Sequence, residues 1–277
     1  MTEQEYKAMS IREFTKAAAI YDSGHAGLYE MCKDDYLPVL EELKQYPFQT
    51  LLDVGCGTGP MIELLLKEFP DKHCTGIDLT PRMIEAAQAK HLANAKFLVG
   101  DSEHLPFEAG AFDAVICTNS FHHYPNPQAF MQEAARVLKD GGRLILRDYT
   151  SSPFVLWLMN HIEMPLAHLC GHGDVKIHSC SEVRELCAAA GLKVRKLEPQ
   201  NGCTLWRRNA NRGKAAGTAL PWRRTAPPAG HNRNKGRASP QAGGTLPFYA
   251  AGWINTPRRP RRCSLPESSP APGCRGR

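Results

Sequence analysis

The segment Asp53-Val54-Gly55-Cys56-Gly57-Thr58-Gly59 carries the residue types and spacing that most directly imply chemistry. It follows a short apolar run, Thr50–Val54, and leads into a helical pattern opened by Pro60. Alternating glycines permit positive φ and let a ligand lie against bare backbone at a helix N-terminus. The spacing is G-x-G-x-G, whereas the dinucleotide fingerprint is G-x-G-x-x-G. An acid two residues before the first glycine suits a ligand with a positive or amino end better than a pyrophosphate. A dinucleotide-dependent oxidoreductase is therefore the disfavoured alternative, and a tight turn without a ligand is the bland one.

Three further acids and one amide fall just after strand-like runs. Asp78 ends the second run, where a carboxylate can accept both hydroxyls of a ribose, and Leu79 beside it can pack on an adenine face. Asp101 follows the third run and can accept from an adenine amino group, although an Asp there is often only a turn residue. Asn119, in Cys117–Tyr124, is expected to line the pocket floor. His122 and His123 at the rim of the fourth run, and Asp148 after the fifth, are the candidates for contact with a second substrate. Histidines at such a rim are also common as plain packing.

His168-x-Cys170-x-His172, with His178-x-Cys180 beyond, has the donor chemistry of a zinc site. The spacing fits no closed finger and Cys180 falls in a helix cap, so no metal is expected.

The elements that must position these residues alternate. Strands are expected at 50–54, 73–78, 95–99, 112–118, 143–148 and 192–197. Helices are expected at 3–21, 26–45, 60–69, 81–91, 127–138 and from the capping box Ser179–Glu182 to Ala190, where Gly191 ends the last one. Thr80 and Asn126 stand as caps for two of them, and Asp140-Gly141-Gly142 reads as a turn. Strands alternating with helices of this length imply a mainly parallel, doubly wound α/β sheet covered on both faces. Its ligands sit at the carboxyl ends of the strands. Phe154–Cys170, with Trp157, Met159 and Met164, is expected to be a helix covering the substrate.

Taken together, LLDVGCGTG (51–59), GIDLT (76–80), GDSEHLPF (100–107), FDAVICTNSFHHYPNP (112–127) and RVLKDGGRLILRD (136–148) resemble the class I S-adenosylmethionine-dependent methyltransferases, in the branch of ubiquinone/menaquinone biosynthesis. The resemblance covers residues ~47–200 and implies a Rossmann-like sheet of seven strands whose last is antiparallel. It implies S-adenosyl-L-methionine as cofactor, bound by Asp53, Gly55, Gly57, Thr58, Gly59, Asp78, Leu79, Asp101, Ser102 and Asn119, with its methionine end near Asp53 and Gly55, its ribose hydroxyls on Asp78 and its adenine near Leu79, Asp101 and Ser102. A sulfonium is already an activated methyl donor, so alignment and desolvation supply most of the acceleration. A base is needed only where the acceptor must lose a proton.

Charge divides the chain. Residues 1–202 have a net charge of −8 and the last 75 a net charge of +14, with a single acid, Glu267. The acidic body argues against nucleic acid as its partner and leaves a small-molecule acceptor. A basic tail could attract RNA. The N-terminus lacks an apolar leader, no stretch is apolar enough to span a bilayer, and ten irregularly spaced cysteines suggest reduced thiols, so a cytoplasmic enzyme is expected. The expected organisation is 1–46, helices covering the cofactor; 47–202, the cofactor-binding domain; and 203–277, a Pro/Gly/Arg-rich tail that is disordered or read out of frame. The family ends in two further strands. Lys193–Glu198 fits the first, whereas Cys203–Arg207 matches the second poorly, which predicts a sheet with an exposed edge or an unfilled slot. A non-catalytic cofactor-binding protein, inactive through its altered ending, is the corresponding alternative.

Overall fold

In the computed structural model of the protein, residues 1–22, 28–198 and 202–207 are described, with only the backbone described for 28–34 and 202–207. The strands are β1 (Thr50–Val54), β2 (His73–Asp78), β3 (Ala95–Val99), β4 (Phe112–Thr118), β5 (Leu138–Arg147), β6 (Leu192–Glu198) and β7 (Gly202–Arg207). They form one sheet in the order β3-β2-β1-β4-β5-β7-β6. The five strands β1 to β5 pair in parallel, and β7 runs antiparallel to both its neighbours. This is the sheet the resemblance implies. The expected unfilled slot is absent, because Gly202–Arg207 lies between β5 and β6. The remainder of the basic stretch, 208–277, lies outside the described residues.

Alternation along the strands divides the core between the two faces of the sheet. Leu52, Val54, Val115 and Leu146 pack with Phe130, Met131 and Val183 on one side. Leu51, Ile116 and Ile145 pack with Val39, Leu43, Ile62 and Leu65 on the other. Each fully buried aliphatic side chain of this kind contributes about 1.5–3 kcal/mol of burial.

The helices are α1 (Glu3–Ala17), α2 (Leu28–Lys44), α3 (Pro60–Glu68), α4 (Pro81–Ala89), α5 (Pro127–Val137), α6 (Pro153–Leu158), α7 (Met164–Leu169) and α8 (Cys180–Ala189). Asn126 caps α5 by accepting from the Ala129 amide, and Ser179 and Glu182 close the expected capping box on α8. Thr80 stands at the N-cap of α4 but its side chain makes no capping bond. Instead its backbone amide donates to Asp78.

One further expectation is corrected and another, a helix over Phe154–Cys170, is met with one irregularity. Asp140-Gly141-Gly142 is a bulge inside β5, which begins at Leu138: register passes from Phe112–Leu138 to Ala114–Arg143. The bulge brings the Arg143 guanidinium inward, where it is 2% exposed and donates to the Leu43 and Tyr46 carbonyls at 3.0 and 2.8 Å. Phe154–Cys170 is interrupted by a π turn at Met159–Glu163. Its inner residues Leu156 and Met164 pack on Ile177, whereas Phe154, Trp157, Leu166 and Leu169 are exposed.

Sheet order reverses between β1 and β4, which have their next neighbours on opposite sides. The crevice at that switch point, above the strand ends Val54, Asp78 and Thr118, is where such a sheet takes its ligand. Among the described residues no helix is long and apolar enough to cross a membrane.

Candidate active site

A cleft of about 900 Å³, open to solvent on one side, occupies the switch point. Asp53, Gly55, Gly57, Asp78, Leu79, Asp101, Ser102 and Asn119 line it, so most of the expected cofactor residues meet there. The glycine loop is shaped for close approach. Gly55 has a φ of +75°, and a Cβ at that position would lie 1.9 Å from the Ser120 hydroxyl oxygen. The Gly55 and Cys56 amides donate to the Ile77 carbonyl, and the Gly57 amide donates to Asp78 at 2.9 Å. Ser120 donates to the Tyr124 hydroxyl, which reaches the Val54 carbonyl and so joins the end of β1 to the rim of β4.

Two residues of the expected cofactor set do not line the cleft. The Thr58 hydroxyl is buried and turned away to donate to Asp22 at 2.6 Å. Gly59 serves packing: with φ +79° it begins α3, and a Cβ there would meet the Phe97 ring at 2.9 Å.

Asp53 is buried, and its Oδ2 has no hydrogen-bond partner. Burial, and secondarily the nearby charge of Asp78, push its carboxyl up to about 8. A carboxyl in this state is short of a positive partner. Asp78 is likewise pushed up by burial, against the opposing hydrogen bonds from the Thr80 and Gly57 amides.

At the Asp101 end of the cleft the first helix takes part. Lys7 donates to Asp101 at 2.7 Å and also to the buried Glu103, whose other oxygen accepts from the Asn126 amide. Burial alone would lower the Lys7 ammonium, but the two carboxylates hold it above its ordinary value. Ser10, Phe14 and Tyr21 complete this wall. Asn119, at φ +50°, donates to Asp35 of α2, which Arg147 also grips.

The three expected acceptor residues divide. His123 lines the cleft, with the Phe14 ring edge-on to it at 5.0 Å. His122 and Asp148 line a second cavity of about 410 Å³, with Tyr149, His178 and Leu197. His122 Nδ1 lies 2.7 Å from Asp148, which also accepts from the His122 amide at 2.9 Å. Burial would lower His122, but Asp148, with Asp174 and Glu13, outweighs it and raises the imidazole to about 9. His123 is pushed down, first by burial and then by the charge of His122.

The cysteine-containing set does not converge. His168 lies against the Asp174 carbonyl and His172 against Glu13 at 2.8 Å. Sequence reasoning missed Lys7, Glu103, Ser120, Tyr124 and Asp174. Glu103, Ser120 and Tyr124 lie inside the quoted motifs 100–107 and 112–127, whereas Lys7 and Asp174 carry no motif.

A doubly wound sheet of this order, with a glycine loop after β1, an acid ending β2 and a second acid after β3, has the Rossmann-like fold of methyltransferases. Residues 52–146 match the methyltransferase domain family. The chain is 34% identical over 108 residues to the demethylmenaquinone methyltransferase of Thermotoga maritima, covering 39% of this chain and 47% of that protein. It is 36% identical over 138 residues to the malonyl-[acyl-carrier protein] O-methyltransferase of Herminiimonas arsenicoxydans, covering 50% of each. Among solved structures, the YcgJ protein of Bacillus subtilis superposes with a TM-score of 0.52 at 27% identity, over 60% of this chain and 71% of that one. The chain thus spans about half the length of the curated relatives it matches.

Proposed function

We propose that the protein binds S-adenosylmethionine in the cleft and transfers its methyl group to a small-molecule acceptor. The observation that carries this is the buried, unpartnered Asp53 oxygen beneath a glycine loop that has no room for a Cβ at Gly55. When bound, the sulfonium supplies an activated methyl group for in-line displacement. Asp53 would hold the ammonium end, the Asp78 carboxylate the ribose hydroxyls, and Leu79, Asp101 and Ser102 the adenine. Gly55 and Gly57 let the ligand reach the backbone, while Thr58 and Gly59 set the shape of the loop. Residues 1–46 cover the cofactor through Lys7, Ser10, Phe14 and Tyr21, and 47–202 with β7 form the binding domain.

His123 is the acceptor-facing residue of the three expected ones. His122 and Asp148 stand behind it and position it. Each residue would act by placing the acceptor's polar group, since displacement at a sulfonium needs alignment more than acid–base work. The net negative charge of residues 1–202 supports a small molecule over nucleic acid. The non-catalytic alternative rested on a missing last strand, and β7 removes that ground.

Calorimetric titration with S-adenosylmethionine and with NAD, followed by labelled-methyl transfer to a panel of small hydroxy, enol and amine acceptors, tests this reading. Heat on adding S-adenosylmethionine but not NAD is expected. Absence of binding would refute it.

A further inference from the structure

We propose that His122, His123 and Asp174 form a binding site for a divalent transition-metal ion of the zinc type at the acceptor end of the cleft. One ligand atom from each of the three lies within 4.8 Å of the others, the only such group among the described residues. His123 Nδ1 lies 3.1 Å and His122 Nε2 3.6 Å from Asp174 Oδ1. A tetrahedral ion with bonds of about 2.0–2.1 Å holds its ligands about 3.3 Å apart, so the observed spacing already fits around a shared centre.

Two independent features point the same way. His123 Nδ1 is buried and makes no hydrogen bond, although the Asp174 carboxylate is close: the two face a common point more than each other. His122 gives its other ring nitrogen to Asp148 at 2.7 Å. A carboxylate on the far nitrogen is the usual support of a metal-binding imidazole, since it fixes the tautomer and leaves Nε2 free.

The local structure holds the group in place. The His122 carbonyl accepts from the Val175 and Lys176 amides, which fixes the loop carrying Asp174 beside the histidines. Glu13 of α1 takes the Gly173 amide and His172. Two imidazoles and one carboxylate suit zinc, manganese, iron or cobalt in the divalent state, and they leave coordination positions for a further ligand. That His123 faces the cofactor cleft makes an oxygen of the acceptor the fitting ligand, a role that rests on the methyl-transfer reading, whereas metal binding itself does not.

The test uses the full chain, stripped with chelator and titrated with Zn²⁺ by calorimetry, with Co²⁺ absorption spectra as a second readout. Uptake of about one Zn²⁺ per chain is expected, with visible bands on adding Co²⁺. Asp174→Asn and His123→Ala should each weaken Zn²⁺ by more than roughly tenfold, and Asp148→Asn by a similar factor through His122. Cys170→Ser and Cys180→Ser should leave it unchanged. S-adenosylmethionine titration of each variant reports folding and the cofactor site separately. Lack of Zn²⁺ uptake by the parent chain, or uptake undiminished in Asp174→Asn and His123→Ala, would overturn the assignment. Failure of S-adenosylmethionine to bind while Zn²⁺ still binds would instead refute the methyl-transfer reading.

Discussion

Lys7 on the first helix donates to Asp101, the acid after β3, across 94 positions of sequence at 2.7 Å. The same ammonium reaches Glu103, which is 3% exposed. One cation thus ties α1 to the Asp101 wall of the cleft and fixes the Asp101 carboxylate.

Lys7→Met removes that tie while keeping the aliphatic stem. The variant is expected to fold and to bind S-adenosylmethionine about fivefold more weakly, for a loss near 1 kcal/mol in a half-buried charged hydrogen bond. Calorimetry checks this, and equal affinity in the two proteins would contradict it.

Cofactor binding should release a proton. The free Asp53 carboxyl titrates at about 8, so it is protonated at pH 6.5, and a cation beside it drives ionisation. Binding heats measured at pH 6.5 in buffers of different ionisation enthalpy should report nearly one proton released, falling toward none as pH rises past about 8. A buffer-independent heat at pH 6.5 is the contrary result.

The same residue costs stability in the unliganded protein. Its folded value is raised from 3.8 to about 8, so above pH 4 the unfolded chain ionises while the folded chain does not. The destabilisation grows from pH 4 to pH 8 and is then constant. Asp53→Asn does not titrate. It is expected to raise the unliganded Tm by ~2–4 °C at pH 8, about 1 kcal/mol, with a smaller gain at pH 5, while losing cofactor affinity. Thermal scans at the two pH values decide; a gain that shrinks with rising pH would be wrong in sign.

Asp113 behaves oppositely. Burial would raise it, but Lys139 and the Thr50 and Gln49 amides hold it down to about 2, clamping the starts of β1 and β4. Its stabilisation is present above the unfolded value near 4 and is lost as pH falls toward 2. Asp113→Asn should lower stability by about 1 kcal/mol at pH 7, a modest figure because the carboxylate is only partly buried, and by almost nothing at pH 2. Urea midpoints at both pH values would show this; an equal loss at both would rule it out.

Gly55→Ala meets two obstacles: the left-handed φ of +75° and the Ser120 hydroxyl 1.9 Å from the new methyl group. Removing the hydroxyl in Gly55→Ala/Ser120→Gly relieves only the second. The single variant should lose detectable cofactor binding and the double should recover little of it. Full recovery would mean that backbone conformation is unimportant here.

What was legible in the sequence was what is local. Asp53, Gly55, Gly57 and Asp78 lie at the ends of adjacent strands, so a motif of a few residues already places them in the crevice. The motif could not show which members face the ligand: Thr58 turns to Asp22 and Gly59 to Phe97, and both partners come from elsewhere in the chain. Lys7 and Asp174 reach the site only through tertiary packing. Gly141 and Gly142 read as a turn because glycines mark both turns and bulges, and only pairing with β4 tells them apart. Cys203–Arg207 was obscured by the composition that follows it, although its pairing with β5 and β6 is regular enough to complete the sheet.

The position of β7 also orders events during synthesis. Among the described residues β6 pairs with no strand other than β7, and β7 is the last of these strands to leave the ribosome. Nascent β6 therefore waits beside an open β5 edge, packed on α8, until about residue 207 has cleared the exit tunnel. A ribosome stalled before that point presents a five-strand sheet with two unpaired partners, whereas one stalled well beyond it presents the finished sheet.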